Sequence, residues 1–218
     1  LLVVPAPTLG AVAGLIRLKG PAGQAIFAAS KVWTFVVPLV WLVAVERGRI
    51  SFSRPRKGGF GAAAAFGAAI VAVIFGAWFA FARDMVDVAR MRSVIEDAGL
   101  ADRRLYVGMF FYWVAVNSLV EEYVWRWFVF TRCRTVSDVL KLPPWAAVAA
   151  SAGFFTLHHI VALGAQFDWR ITALGSAGVF AGGTVWSWLY MKYESIWPCY
   201  VSHVMADVPI CLLYTSPS

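Results

Sequence analysis

The amino-acid sequence predicts an all-α fold, a polytopic transmembrane helical bundle of about six to seven spans. Three observations carry that prediction. The 218-residue chain is 61% hydrophobic and 14% charged, with a mean hydropathy of +0.70, whereas a soluble domain is about 45–50% apolar and about 25% charged. Its apolar residues fall in uninterrupted runs near the length of about 20 residues that a helix needs to cross a bilayer. One of these runs encloses two glutamates and an arginine, Glu121, Glu122 and Arg126. A charge at the bilayer centre costs between about 2.5 and well over 10 kcal/mol, depending on the method of measurement, so a helix carrying three has neighbours that compensate them.

The predicted spans cover 25–45, 60–82, 106–130, 144–166, 171–191 and Ser195 to the C-terminal end. Residues 1–18 read as the remnant of a seventh, weakened by Pro5 and Pro7. Helices are the expected solution because a lipid-exposed backbone must satisfy its own hydrogen bonds; a β-barrel would show short alternating segments, and these runs are continuously apolar. The connections are polar. Residues 47–59 hold Arg47, Arg49, Arg54, Arg56 and Lys57, and 131–142 hold Arg132, Arg134 and Lys141. Counting Lys and Arg in short loops puts 46–59 and 131–142 in the cytoplasm. Between them, 83–104 mixes both signs and spaces Met85, Val88, Met91 and Ile95 as an amphipathic surface helix would. GxxxG spacings at Gly10–Gly14 and Gly178–Gly182 predict close helix packing.

The formal charge of +7 needs no nucleic-acid partner, because basic loops beside anionic leaflets produce the same sum. Cys133, Cys199 and Cys211 form no CxxC pair, which excludes a zinc knuckle of that type and suggests no disulfide framework; Cys199 is expected to be packing. The chain opens at Leu1 without an initiator Met, and residues 211–218 read like a translated sequencing adapter, so both ends are expected to be incomplete. The expected division is an N-terminal membrane part, 1–105, a second membrane part that carries the charged cluster, 106–210, and the adapter-derived tail, 211–218.

The chemistry-bearing residues sit inside the spans. Residues four apart share a helical face, so Glu122 and Arg126 can pair, while Glu121 is turned about 100° from Glu122. One carboxylate neutralises the arginine and the other is left to face something else. All three histidines, His158, His159 and His203, lie in predicted spans. His203 and Asp207 share a face. Asn117, one turn before Glu121, can hydrogen-bond it or a neighbouring helix. Lys31 is read as a span-end residue that snorkels, the Asp168-Trp169-Arg170 loop as an interfacial anchor, and Trp197-Pro198 as a helix N-terminus in the interfacial belt. With about 1.5 Å of rise per residue, Glu121 lies roughly 13 Å from Phe130, His203 roughly 12 Å from Ser195 and His159 roughly 22 Å from Pro144. The first two share a layer; His159 looks too deep. A carboxylate and a histidine beside a His/Asp pair are the parts needed to activate water and hold an oxyanion. The same Glu121, His159, His203 and Asp207 are competent zinc ligands, although no HExxH spacing favours that use. A structural ion cluster, a non-catalytic immunity or scaffold protein and a proton- or ion-coupled transporter use the same residues differently.

Together the motifs resemble the CAAX protease and bacteriocin-processing family. Its EExxxR matches Glu121, Glu122 and Arg126, its FxxxH matches Phe155 and His159 (Phe154 and His158 in a shifted reading), and its HxxxN/D matches His203 and Asp207. The resemblance covers about residues 106–210 and implies a glutamate-type intramembrane endopeptidase with its active site between helices. It requires no metal and no other cofactor. It implies that Glu121 and His159 activate the water, that His203 and residue 207 form the oxyanion hole, and that Glu122 and Arg126 support them. Asp207 stands where eukaryotic-type members have Asn, and an ionised Asp cannot donate a hydrogen bond; it orients His203 or donates when protonated. The implied setting is a bacterial cytoplasmic membrane, and the implied partners are the lipid bilayer and peptide, bacteriocin-precursor or membrane-protein substrates.

Overall fold

The structure is a computed structural model and describes residues 3–18, 20–48, 53–87, 89, 93, 96 and 102–213. Among these, seven long helices and no strand form the fold: α1 (5–17), α2 (Pro21–Val45), α3 (Phe60–Met85), α4 (103–139), α5 (Pro144–Gln166), α6 (Trp169–Tyr193) and α7 (Ile196–Leu213). Four of them, α2, α3, α5 and α7, are long and apolar enough to cross a membrane. Helices α4 and α6 cover their predicted spans but fall outside that set, α4 because it carries the charged cluster. Helix α1 begins at Pro5, a position where proline costs nothing, and stays too short to span.

Sequence chemistry sets the helix ends. Asp102 caps α4 by accepting from Arg104 N at 2.8 Å and Leu105 N at 3.0 Å. Asp168 does the same for α6, accepting from Arg170 N and Ile171 N, so the predicted anchor loop is a cap; Trp169 beside it is exposed under the Arg170 guanidinium, as an interfacial residue would be. Pro198 sits in the first turn of α7, as expected. The supposed loop 131–142 is mostly helix, since Thr131–Val139 simply continues α4. Helix α7 likewise runs through Cys211 to Leu213. Of the proposed amphipathic segment, Met85 ends α3, and Val88, Met91 and Ile95 lie outside the described residues, as do 214–218 of the adapter-like tail.

Helices α5 and α6 pack along their lengths, α3 packs on α7, and α1 packs on α2 and α5. The buried core comprises Val124, Trp125, Phe128 and Val129 of α4, Phe155 of α5, Trp186 and Leu189 of α6, and Cys199 and Ala206 of α7. Small residues set three close approaches. A Cβ on Gly10 would sit 2.5 Å from Ser30 Cβ, one on Gly14 2.6 Å from the Gly23 carbonyl oxygen, and one on Gly67 2.6 Å from Met205 Sδ. The Gly10–Gly14 pair therefore packs α1 onto α2, as its spacing predicted. Gly178 faces nothing within 4 Å; α6 approaches α5 closely at Gly175, whose Cβ would meet Leu163, and at Gly183, whose Cβ would meet Phe155 and Ala152. Exposed Val32, Trp33, Val36, Val40, Val73 and Phe79 make the outer faces of α2 and α3 apolar, which suits lipid.

One end of the bundle gathers the basic connections. Arg132 pairs with Glu46, Lys57 Nζ lies 2.8 Å from Glu194 Oε1, and Ser53 accepts from Ser195 and Ile196 N. Phe130 packs in one buried cluster with Ala147 and Val148. Counted from Val148, His159 lies roughly 17 Å deep, and the depth mismatch with Glu121 shrinks to a few ångström.

Candidate active site

Four helices build the site. Helix α4 brings Asn117, Ser118, Glu121, Glu122 and Arg126; α5 brings Phe155, His158 and His159; α6 brings Trp186; α7 brings Ser202, His203 and Asp207. Helices α4 and α5 are antiparallel, and Cα–Cβ bonds tilt toward each helix N-terminus. Glu121 is thus swung deeper and the α5 histidines back toward it, which closes the remaining gap in depth. On both sides of Glu121–Glu122, at Tyr112–Asn117 and Tyr123–Phe130, α4 is wound in wider π-type turns, a winding often found at functional sites.

Glu122 and Arg126 form the innermost pair, both fully buried, with Arg126 Nε 3.3 Å from Glu122 Oε2. The guanidinium also lies 4.7 Å from the Phe155 ring centroid and 5.1 Å from that of Trp186. The other oxygen of Glu122 accepts from His203 Nδ1 at 2.7 Å. Glu122 thus links Arg126 to His203, its Oε2 meeting the guanidinium as an ion pair without a hydrogen bond among the described residues. Its carboxylate can only accept, so Nδ1 of His203 carries a proton and Nε2 is the atom turned toward the rest of the site. Nε2 lies 3.8 Å from Glu121 Oε2 and 3.6 Å from Asp207 Oδ2. Trp186 stacks on the imidazole at 3.9 Å and is itself held by donating to Ser202 Oγ, so the ring has little freedom to turn.

Glu121 is turned away from Arg126, with one oxygen toward His203 and the other toward a cavity. Asn117 Nδ2 donates to Glu121 Oε1 at 2.9 Å, and the Lys31 ammonium lies 3.6 Å from the same oxygen. Lys31 therefore points into the bundle rather than snorkelling to its rim. Glu121 and His158, with Asn117, Trp125 and Lys31, line a cavity of about 200 Å³ bounded by α1, α2, α4 and α5. Asp207 Oδ2 accepts from Ser118 Oγ at 2.6 Å. Ser118 has one proton and two backbone carbonyls in reach as well, and the carboxylate is the strongest acceptor of the three.

The two α5 histidines differ. His159 is half-buried, and its Nδ1 donates to the Phe155 carbonyl at 2.9 Å. A carbonyl cannot donate, so the neutral ring keeps its lone pair on Nε2. His158 is buried, stacks parallel on Trp125 at 5.4 Å, and its Nδ1 has no hydrogen-bond partner among the described residues. The two rings touch, with centroids 4.0 Å apart, and Phe155 contacts His159 and His203 at 4.6 and 6.2 Å. Glu121, Glu122, Arg126, His203 and Asp207 thus form one connected cluster, and His159 abuts it through Phe155. Among the described residues no three His, Cys, Asp or Glu side chains are arranged to hold a metal ion. Cys199 is fully buried, its Sγ on the Trp186 carbonyl.

Sequence reasoning missed Lys31, Ser118 and Trp186 as parts of the cluster. Ser118 was detectable, since it lies three residues before Glu121 on a face of α4. Trp186 gave no signal, and Lys31 stood out only as a charge within a predicted span, because their roles depend on how α6 and α2 dock.

Residues 103–209, which span α4 to α7 and hold every one of these side chains except Lys31, match the family described as type II CAAX prenyl endopeptidase Rce1-like. Over these residues the chain is similar to the Rce1-like CAAX endopeptidase family. The match implies a CAAX protease-type hydrolase, and with four apolar helices of spanning length the chain is an integral membrane protein. No curated protein and no solved structure matches it significantly. The CAAX endopeptidase match begins at the start of α4 and leaves α1–α3 unassigned.

Proposed function

We propose that the chain is an intramembrane endopeptidase in which Glu121 and His159 activate a water and His203 holds the oxyanion. Glu121 takes a proton from water as the oxygen attacks the peptide carbonyl carbon. The carbonyl oxygen becomes negative and is met by His203, doubly protonated, through Nε2–H. The tetrahedral intermediate collapses, the C–N bond breaks, and the proton passes from Glu121 to the leaving amine, which restores the carboxylate. His159 shares that proton through its free Nε2 lone pair. Asp207, committed to Ser118 and close to Nε2 of His203, orients the imidazole rather than donating to the oxyanion. Glu122 and Arg126 hold the other side of His203. The basic loops at the 46–59 end face the cytoplasm, and the substrates are peptides, bacteriocin-type precursors or membrane proteins.

One observation carries this reading: Glu121 and His203 come from different helices, face each other at 3.8 Å, and Glu121 opens onto a cavity. Purified protein in detergent, assayed on fluorogenic peptides and candidate membrane substrates, tests it. Removing a group that stabilises a developing oxyanion costs about 10²–10³ in rate, so His203→Ala falls by that factor, and Glu121→Gln by at least as much. Wild-type cleavage by both Glu121→Gln and His159→Ala would reject the mechanism. Loss of cleavage on adding a chelator would favour the zinc-dependent alternative. A non-catalytic immunity or scaffold role predicts that protection of cells survives Glu121→Gln. A second reading assigns the α5 base to His158, since this histidine lines the cavity beside Glu121 and has an unpartnered Nδ1; His158→Ala then abolishes cleavage while His159→Ala does not.

A further inference from the structure

We propose that Lys31, on α2 and outside the family-matched residues, is a positioning residue for Glu121 that selects which carboxylate oxygen meets the water. The proposal rests on the peptidase reading above. Both donors that reach Glu121 from the cavity side address Oε1: Asn117 Nδ2 at 2.9 Å and Lys31 Nζ at 3.6 Å. Oε2 is the oxygen turned toward His203 Nε2. Lys31 Nζ also lies 3.5 Å from Asn117 Oδ1. An ammonium has donors only, so Asn117 presents its oxygen to Lys31 and its amide hydrogens to Glu121. The three side chains close a ring in which each fixes the next. A carboxylate with two equivalent oxygens could turn about its last bond; with Oε1 hydrogen-bonded by Asn117 and faced by the Lys31 charge, Oε2 stays beside the oxyanion site.

Charge balance argues the same way. The cluster on α4 and α7 contains three carboxylates, Glu121, Glu122 and Asp207, against one permanent cation, Arg126. Arg126 is committed to Glu122. Lys31 supplies a second permanent cation, which faces Glu121, and it does so from the part of the chain that the family match leaves unassigned. Its side chain is 29% exposed on the cavity wall and lies 5.7 Å from the Trp113 ring centroid, which limits where the ammonium can go.

The test measures kcat and KM separately for Lys31→Met, Lys31→Arg and Lys31→Ala, beside Glu121→Gln, in the purified full chain. Loss of the ammonium removes the charge facing Glu121 and the hydrogen bond that fixes Asn117, which supports a fall of roughly 10- to 100-fold in kcat for Lys31→Met, with KM changed by less than about threefold. Lys31→Arg recovers most of the loss, and propylammonium added to Lys31→Ala restores part of it, which a purely structural role would not allow. Wild-type kcat in Lys31→Met, with Glu121→Gln inactive, overturns the role of Lys31 and leaves the peptidase reading intact. Wild-type cleavage by Glu121→Gln overturns both. A thermal-unfolding cycle over Lys31→Met, Glu121→Gln and the double variant in detergent reads the pairing without any activity: the shifts are non-additive when the two side chains interact, and additive shifts overturn the proposal.

Discussion

Replacing Arg126 with Met should unfold this bundle more readily than almost any other single change in α4, and replacing its partner as well should undo about half of the damage. Arg126 and Glu122 are both fully buried, 3.3 Å apart. At an effective dielectric of about 20 the Coulomb attraction at that distance is roughly 5 kcal/mol, and cation–π contact with Phe155 and Trp186 adds on the order of 2 kcal/mol when desolvated. Desolvation of the two charges offsets much of this. Removing one partner loses the attraction but keeps the desolvation of the other, at a cost of about 3–5 kcal/mol. Met fills the volume between the two aromatic rings, so cavity formation is minor. Glu122→Gln keeps an oxygen to accept from His203 Nδ1 and leaves one amide donor unsatisfied, at about 1–3 kcal/mol. The double variant should therefore be more stable than Arg126→Met alone by about 2 kcal/mol. Chemical denaturation in mixed micelles, followed by tryptophan fluorescence, reads all three. Equal stability of the single and double variants, or no loss in Arg126→Met, would show that the pair is not the compensated buried charge described above.

Asp207→Asn should keep cleavage within about tenfold of wild type while Asp207→Ala loses about 10²-fold, because Asn still accepts from Ser118 Oγ and still leaves His203 an adjacent polar group; steady-state peptide cleavage distinguishes them. Gly10→Ala should lower thermal stability by about 1–3 kcal/mol through the clash with Ser30 Cβ at 2.5 Å, Ser30→Gly should restore it, and Gly178→Ala, with nothing within 4 Å, should not lower it. At the loop end of the bundle, the hydrogen bond and charge of Lys57 hold the exposed Glu194 carboxyl below its ordinary value. A carboxyl whose folded value is lowered contributes stability that is fully present above the ordinary glutamate range and is lost as pH falls through the lowered value. Stability measured across that acid window should lose this component in Glu194→Gln and in high salt, which screens exposed pairs.

The fold class was legible because bilayer thickness imposes a length on apolar runs that no soluble constraint imitates. The two places where the outline failed have a physical cause. Thr131–Val139 reads as a loop because it is polar, yet a polar helix is stable when the preceding span continues into it, and periodicity does not mark where lipid ends. Gly178–Gly182 has the spacing of a packing motif, but spacing cannot say which face of α6 meets α5; the contacts fall on Gly175 and Gly183. The same ambiguity explains His159. Its depth looked wrong only because Pro144 was taken as the membrane edge, whereas Phe130 clusters with Ala147 and Val148.

Within the site, what was legible is what lies on a single helix. Glu122–Arg126, Asn117–Glu121 and His203–Asp207 are all four residues apart, and all three pairs are in contact. Contacts between helices were not legible, and these decide the chemistry. The His203 to Glu122 hydrogen bond fixes which imidazole nitrogen faces the reaction. The approach of Lys31 fixes which oxygen of Glu121 is left. Sequence had assigned Glu122 to Arg126 alone and left His203 to Asp207. Instead, Glu122 is shared between Arg126 and His203, so the buried ion pair and the oxyanion residue are one unit. It follows that Arg126→Met should act on turnover as well as on stability, because a Glu122 without its guanidinium no longer holds the His203 ring at a fixed angle against Trp186. A substitution that left turnover untouched while destabilising the fold would separate the two roles that this geometry joins.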